Sequence, residues 1–323
     1  TYPQTVWSYL TSTHPGEALG YQGVAYAAVA AYDLGADSAL PNHSFDITGR
    51  LPFNVGTIDD ANPKDVVQDI LTNSHYGAGF PSGKIGSLTL FSNYCVATGI
   101  FLSPAYTDQQ QASEIITQLM KLTNTSVFFS ESQLKFVPYG DSTVTGNGAT
   151  YTPNTTAAYD LTDDDYLDKE EPIRVIRNSS ADAFNQVKVE FLNRDNQYNI
   201  EIAEAKDIVA IDTYGLLAKD PLQAHQIADP DVARIVAQTE LQRALFIRNT
   251  YEFTVGWKYC LLEPSDLLTL TDSMLGFDKL PVRILSIEEN GDNGFNIIAE
   301  DYPAGVTSAS KYPSSTGAGY SQN

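Results

Sequence analysis

Apolar and polar positions change period several times along the chain, and those changes divide it. Residues 21–34 alternate small, apolar and aromatic side chains, with Val24, Tyr26, Ala28 and Ala30 on one face of an extended strand. Alanine is a poor strand former, so a helix competes there. A second extended run, 43–49, lies between Pro41-Asn42 and Gly49. Residues 1–56 therefore read as a first β-rich segment.

Helical spacing follows. Asn62 can cap and Pro63 suits a first turn, and Val66, Val67, Ile70 and Leu71 then make an apolar stripe. This helix should stop near Gly77, Gly79 and Pro81. Residues 88–99 predict a short helix ending at Gly99. After Thr107-Asp108, Ala112, Ile115, Ile116, Leu119 and Leu122 recur at the spacing of a third. A hairpin turning at Glu131-Ser132 closes an α+β segment spanning 57–140. Residues 141–171 are rich in Gly, Thr, Asn and Asp and read as an irregular, acidic connection.

From Ile173 the period returns to two. Val187, Val189 and Phe191 alternate with Gln186, Lys188 and Glu190, the mark of a half-buried strand. Asp229-Pro230-Asp231 starts a second strong helix, with Ala233, Val236, Ala237, Leu241, Ala244 and Leu245 on one face. Extended runs 251–261, 267–272 and 282–288 follow, and 291–294 reads as a turn into 295–299. Several strands and one packed helix over 172–304 predict a closed or nearly closed barrel. Residues 305–323 read as a flexible linker. With Thr1 in place of Met at the start, both ends suggest a piece of a longer protein. The fold class expected is α+β, mainly β.

Charge narrows the function. Of 323 residues, 40 are Asp or Glu and 19 are Lys or Arg, a net charge of −21, and no Lys/Arg run occurs. Binding nucleic acid by phosphate neutralisation is thereby disfavoured. Simple solubility explains such a charge; a surface that DNA must pass without sticking explains it equally well. Cys95 and Cys260 are far apart and read as reduced thiols, with one disulfide as the alternative. No apolar run reaches the length of a membrane span.

Candidate chemistry is sparse. His14, His43, His75 and His225 are scattered without metal-ligand spacing. No Gly-x-Ser-x-Gly elbow is present, and residues 83–87 hold Gly, Lys and Ser in the wrong order for a phosphate loop. No catalytic, cofactor-binding or metal site is expected. The one dense cluster is Asp163, Asp164, Asp165 and Asp168, with Glu170 and Glu171. It reads first as a solvated acidic loop, and alternatively as a lumen-facing patch, a cation site or a catalytic pair.

The order of short motifs in the second half carries a resemblance. It runs from Asp182-Ala183-Phe184-Asn185 through Val187-Lys188-Val189-Glu190-Phe191 and Asn193-Arg194-Asp195-Asn196. It continues through the capped helix at Asp229, then Tyr251-Glu252-Phe253, Pro264-Ser265-Asp266, Val282-Arg283-Ile284 and Ile298-Ala299-Glu300-Asp301. Tyr94-Cys95, Ser103-Pro104 and the run 134–141 agree in the first half. This order resembles the tail proteins of long-tailed phages, prophages and gene transfer agents, including tail-tip or baseplate-hub proteins. The family's usual Pro-Gly-Asp turn is here Pro264-Ser265-Asp266.

The resemblance implies tail-tube-like β-barrel domains with a helix-rich insertion, the first barrel being completed by later strands. It implies a structural, non-enzymatic part of the virion tail tip, assembled in the bacterial cytoplasm, with no cofactor. It also implies a homotrimer that contacts the tail tube, distal tail and tip or fibre proteins while DNA passes without specific binding. The alternatives are a tail-tip glycan or peptidoglycan hydrolase and a receptor-binding module.

Overall fold

The computed structural model describes residues 6–20, 26–33, 35, 43, 45, 60–168, 170–177, 183–291 and 293–307. The chain forms two compact units, Thr1–Ile47 and Thr48–Asn323. In the first, helix α1 (Ser8–Thr13) is described. Of the strand run expected over 21–34, residues 26–33 are described and form neither strand nor helix. Most of the run expected over 43–49, the turn at 178–182 and most of the 305–323 linker fall outside the described residues.

The second unit begins with three helices. Helix α2 (Pro63–Thr72) starts where the Asn62 side chain accepts from Lys64 N at 3.0 Å. Helix α3 (Thr89–Thr98) ends at Gly99, whose φ of 78° is the left-handed cap that glycine adopts without strain. Helix α4 (Ala112–Leu122) buries Ile115, Ile116, Leu119, Met120 and Leu122. Hairpin β1 (Thr125–Ser130) and β2 (Gln133–Pro138) turns at Glu131 and Ser132, both at positive φ, as a two-residue hairpin turn requires.

The stretch expected to be irregular holds three short strands: β3 (Val144–Gly146), β4 (Ala149–Tyr151) and β5 (Tyr159–Leu161). Then follow β6 (Arg174–Arg177), β7 (Gln186–Asn193), β8 (Asn199–Lys206), helix α5 (Ile208–Tyr214) and β9 (Leu222–Gln223). Helix α6 (Pro230–Phe246) is capped by Asp229, which accepts from Asp231 N at 2.6 Å. Strands β10 (Asn249–Gly256), β11 (Leu267–Asp272), β12 (Phe277–Glu289) and β13 (Gly294–Asp301) complete the fold. The architecture is α+β with more strand than helix.

Two cores lie within this unit. One joins α2, α3, α4 and α6 to β7 and β8; Ala203 and Ala205 of β8 are small enough to let α6 pack close. The other fills the six-stranded sheet ordered β5-β11-β12-β13-β10-β6. The single barrel expected over 172–304 is therefore not what forms. Strands β7, β8 and β9 make a separate three-stranded sheet, and no closed barrel occurs among the described residues. The reason is long-range: Val187, Val189 and Phe191 are buried against helices of the first half, while Tyr251, Phe253 and Val255 face the other core.

Candidate functional site: the acidic turn, the buried junction and an exposed excursion

Residues 159–177 carry the acidic cluster and also span the seam between the two edges of the six-stranded sheet. On one side β5 pairs in parallel with β11, Tyr159 opposite Leu268 and Leu161 opposite Leu270. On the other, Tyr166 bridges Val255 of β10, and Leu167 N donates to Thr254 O at 2.9 Å. Strand β6 then continues along β10, Arg174 opposite Glu252. The Tyr166 ring is buried beneath this strap and its hydroxyl reaches back to Thr271 O of β11 at 3.4 Å. A Cβ at Gly294 would lie 2.7 Å from Leu167 Cδ1 and 2.9 Å from Val255 O, so the strap needs glycine under it.

The carboxylates fasten the strap one at a time. Asp163 accepts from Ser273 N (3.2 Å) and Ser273 Oγ (2.7 Å), just beyond β11. Asp165 accepts from Thr162 N and Thr162 Oγ1, both at 2.9 Å, and pairs with Lys258 Nζ at 2.9 Å, just beyond β10. Asp168 Oδ1 accepts from Glu170 N (2.9 Å) and Glu171 N (3.1 Å). Asp164 is exposed and makes no bond among the described residues. The four do not converge on a shared point, and no group of three or more metal-ligating side chains occurs among the described residues.

Burial opposes ionisation of Asp165, but hydrogen bonds from Tyr259, Lys258 and Thr162 outweigh it and hold the carboxyl well below its ordinary value. A folded-state pKa that is depressed gives stability that is complete above the unfolded value, near 4, and is lost as pH falls through the lower folded value. Asp165→Asn is thus expected to cost about 1 kcal/mol at pH 7 and progressively less below about pH 4. Denaturant titrations of both proteins at pH 7 and pH 3 check this; an equal loss at both would show that the carboxylate charge is not what fastens the turn.

A second cluster, not among the candidates read from the sequence, ties the two cores together. Arg283 of β12 and Glu300 of β13 are 3% and 5% exposed. Arg283 Nε donates to Glu300 Oε1 (3.3 Å) and Nη1 to Tyr139 O (2.6 Å). Arg243, from α6 in the other core, donates Nη2 to Glu300 Oε2 at 2.9 Å. The Tyr139 ring receives both guanidinium groups, each 4.7 Å from its centroid. Asp141 Oδ2 accepts from Val306 N (2.6 Å) and Thr307 N (2.9 Å), holding the end of the described chain against the same junction. The one available signal was an arginine between two apolar residues in a strand, Val282-Arg283-Ile284.

A third feature is an excursion over residues 207–217. Buried Asn185 grips its neck with four hydrogen bonds. Its backbone N donates to Leu217 O (2.9 Å) and its O accepts from Asp207 N (3.0 Å). Its side chain donates to Gly215 O (2.6 Å) and accepts from Leu217 N (2.7 Å). The helix α5 that this neck presents buries none of its side chains, and Ile208 and Val209 are 67% and 75% exposed.

Other sequence candidates take ordinary roles. His225 Nε2 lies 2.7 Å from Glu190 Oε1. Cys95 is buried, which pushes its thiol pKa up, and Cys260 is exposed; both are free thiols. No helix among the described residues is long and apolar enough to cross a membrane.

No curated protein matches the chain in sequence. A chain from the virion of a native gene transfer agent particle is similar in structure, with a TM-score of 0.51 and 14% identity over 76% of this chain and 56% of that one. The chain thus spans little more than half the length of that relative. The 43 kDa tail protein of prophage MuSo2 from Shewanella oneidensis gives a TM-score of 0.40 at 16% identity, covering 61% of this chain and 56% of that one. A tail protein from Neisseria meningitidis MC58 gives 0.43 at 12% identity, covering 72% of each. The family model described as "Putative phage tail protein" matches residues 111–287. That match covers more than half of the chain, takes in parts of both cores and agrees with the motif order read from the sequence, and the chain belongs to this family of phage tail proteins.

Proposed function

We propose that the chain is a structural component of a phage-like tail, part of the hub or tip ring that joins the tail tube to the tip proteins. The observation that carries this reading is the family match over residues 111–287. In this reading the six-stranded sheet with its strap plays the part of a tube-protein-like unit, and the helices α2 to α4 are a decoration on the outside. The first β-rich segment, residues 1–56, is assigned to a further such unit.

The charge of −21 suits a wall that DNA slides past, because carboxylates repel phosphate within the roughly 8 Å reach of a charge at physiological salt. Within the acidic turn, Asp164 and Asp168 are exposed enough to contribute, whereas Asp163 and Asp165 are committed to the seam. Asp163 and Asp165 are bound on different sides of that seam, which does not favour the alternative of a hydrolase using them as a pair. The reading includes a homotrimer, with the tail tube, distal tail and tip or fibre proteins as neighbours.

Immunogold labelling of purified particles with an antibody against this chain tests the proposal. Label confined to the tail tip is expected, and label along the whole tube or absent from the particle would sink the assignment. Light scattering of the isolated chain adds the stoichiometry, since three chains of 35.3 kDa amount to about 106 kDa.

A further inference from the structure

We propose that residues 302–307 are a releasable latch between the sheet core and the helical core built on α2, α3, α4 and α6. While Asp141 and Asn124 hold this segment, the cores are fixed against each other. Once it is withdrawn, the sheet core turns as a body relative to the helical core.

The two apolar clusters stay separate, and the bonds between them are polar. Arg243 of α6 pairs with Glu300 of β13, and Tyr139 O accepts from Arg283 of β12. Lys135 of β2 pairs with Glu263, before β11, at 2.7 Å. A seam between compact units that is polar permits relative motion, because the groups that part regain hydrogen bonds in water. The chain also passes between the cores by short connections. Helix α6 runs into β10 through Ile247 and Arg248 alone. Residues 152–158 separate β4 of one core from β5 of the other. A rotation of one core against the other is absorbed at such connections.

Segment 302–307 crosses the polar seam itself. At its start Tyr302 N donates to Pro281 O at 3.3 Å, and the Tyr302 ring centroid lies 5.3 Å from the Arg283 guanidinium. Its far end is gripped by the helical core. Asp141 Oδ2 accepts from Val306 N (2.6 Å) and Thr307 N (2.9 Å). Thr307 Oγ1 donates to Tyr139 O at 2.6 Å. Asn124, at the corner between α4 and β1, donates Nδ2 to Thr307 O and to Tyr94 OH of α3, both at 3.3 Å. Every bond of this grip to the segment ends on Val306 or Thr307, so withdrawing two residues breaks them together. Residues 308–323 follow directly, and a pull on that stretch, or a partner that binds it, acts on Thr307 first. This inference goes beyond the tail assignment and does not depend on it.

Hydrogen exchange on the full chain, read by mass spectrometry of peptic fragments, tests the release. The fragment holding Val306 and Thr307 should exchange at least about tenfold faster than fragments of α3 and β10, because it opens while the cores stay closed. Its amides are buried and bonded, so exchange as slow as in the cores would overturn the proposal. Double electron–electron resonance tests the motion, with spin labels on Cys260, exposed beside the sheet core, and on Lys121→Cys of α4; Cys95 is buried and stays unlabelled. One narrow distance distribution is expected with the latch intact, and a second, displaced population in Asp141→Ala. Thr307→Pro removes a bonded N–H beyond the last strand, where it disturbs neither core, and should have the same effect; it decides the matter if Asp141→Ala does not fold. Circular dichroism establishes that each variant is folded. Wild-type distances in the folded variants would show a packed chain end and no latch.

Discussion

Glu300→Ala should lower the unfolding free energy by about 3–5 kcal/mol, the cost of stranding a buried charge. Among the described residues, Glu300 is the carboxylate that pairs with both Arg283 and Arg243. Without it, Arg283, 3% exposed, keeps only the Tyr139 carbonyl and two aromatic faces, with a second guanidinium on the same ring. Water cannot reach the charge to compensate. The paired replacement Arg283→Met with Glu300→Leu removes the stranded charge along with its partner, and should cost less than the single change. Guanidinium denaturation of wild type, single and double variants is the measurement. A single variant within about 0.5 kcal/mol of wild type would mean that the junction is open to solvent and does not tie the cores.

Phe91→Ala should cost about 3–5 kcal/mol, because the removed ring leaves a cavity that a packed core cannot refill. Phe91 is fully buried on α3 and stacks on Phe136 of β2 with ring centroids 5.9 Å apart. The change also measures how the cores are coupled. Trp257 packs its ring on Phe295, 5.1 Å away, and Phe295 packs in turn against the sheet core. In a Trp7→Phe background its fluorescence reports that core alone, while far-ultraviolet circular dichroism is weighted to the helices. Because the junction joining the cores is buried, both signals should shift to the same lower midpoint. A helical transition that moves while the Trp257 transition stays would show two independently melting halves.

Local grammar was the legible part of this fold. Asn62-Pro63 and Asp229-Pro230 both start helices with the cap bonds their residue types promise. Glu131-Ser132 turns the hairpin, and the alternation of Val187, Val189 and Phe191 is seen directly in their burial. What escaped was set by distant partners. Strands β3, β4 and β5 have three residues each, too few for a period to show. The strands of β7 to β9 and of β10 to β13 have the same local pattern, so nothing in that pattern says that they fill different cores. The acidic residues drew attention as a dense patch, yet the fold uses them singly, as turn acceptors and as fasteners to Ser273 and Lys258. Asn185 gave no signal, because its four bonds go to the backbone of Asp207, Gly215 and Leu217, all more than twenty positions away.

The strap across the sheet seam has a consequence for the order in which the chain can fold during synthesis. Its partners are all made after it: β5 waits for β11, and β6 and Tyr166 wait for β10, which in turn pairs with β13 near the end of the described chain. Loops of this length close late. At about 5–20 residues per second, ribosomes need on the order of ten seconds to add the intervening stretch. For that interval Leu161, Tyr166 and Ile173, all buried in the finished sheet, have nothing to pack on. The charged residues around them would then act as a chaperone in the same sequence, keeping the waiting segment soluble until the strands that receive it leave the ribosome.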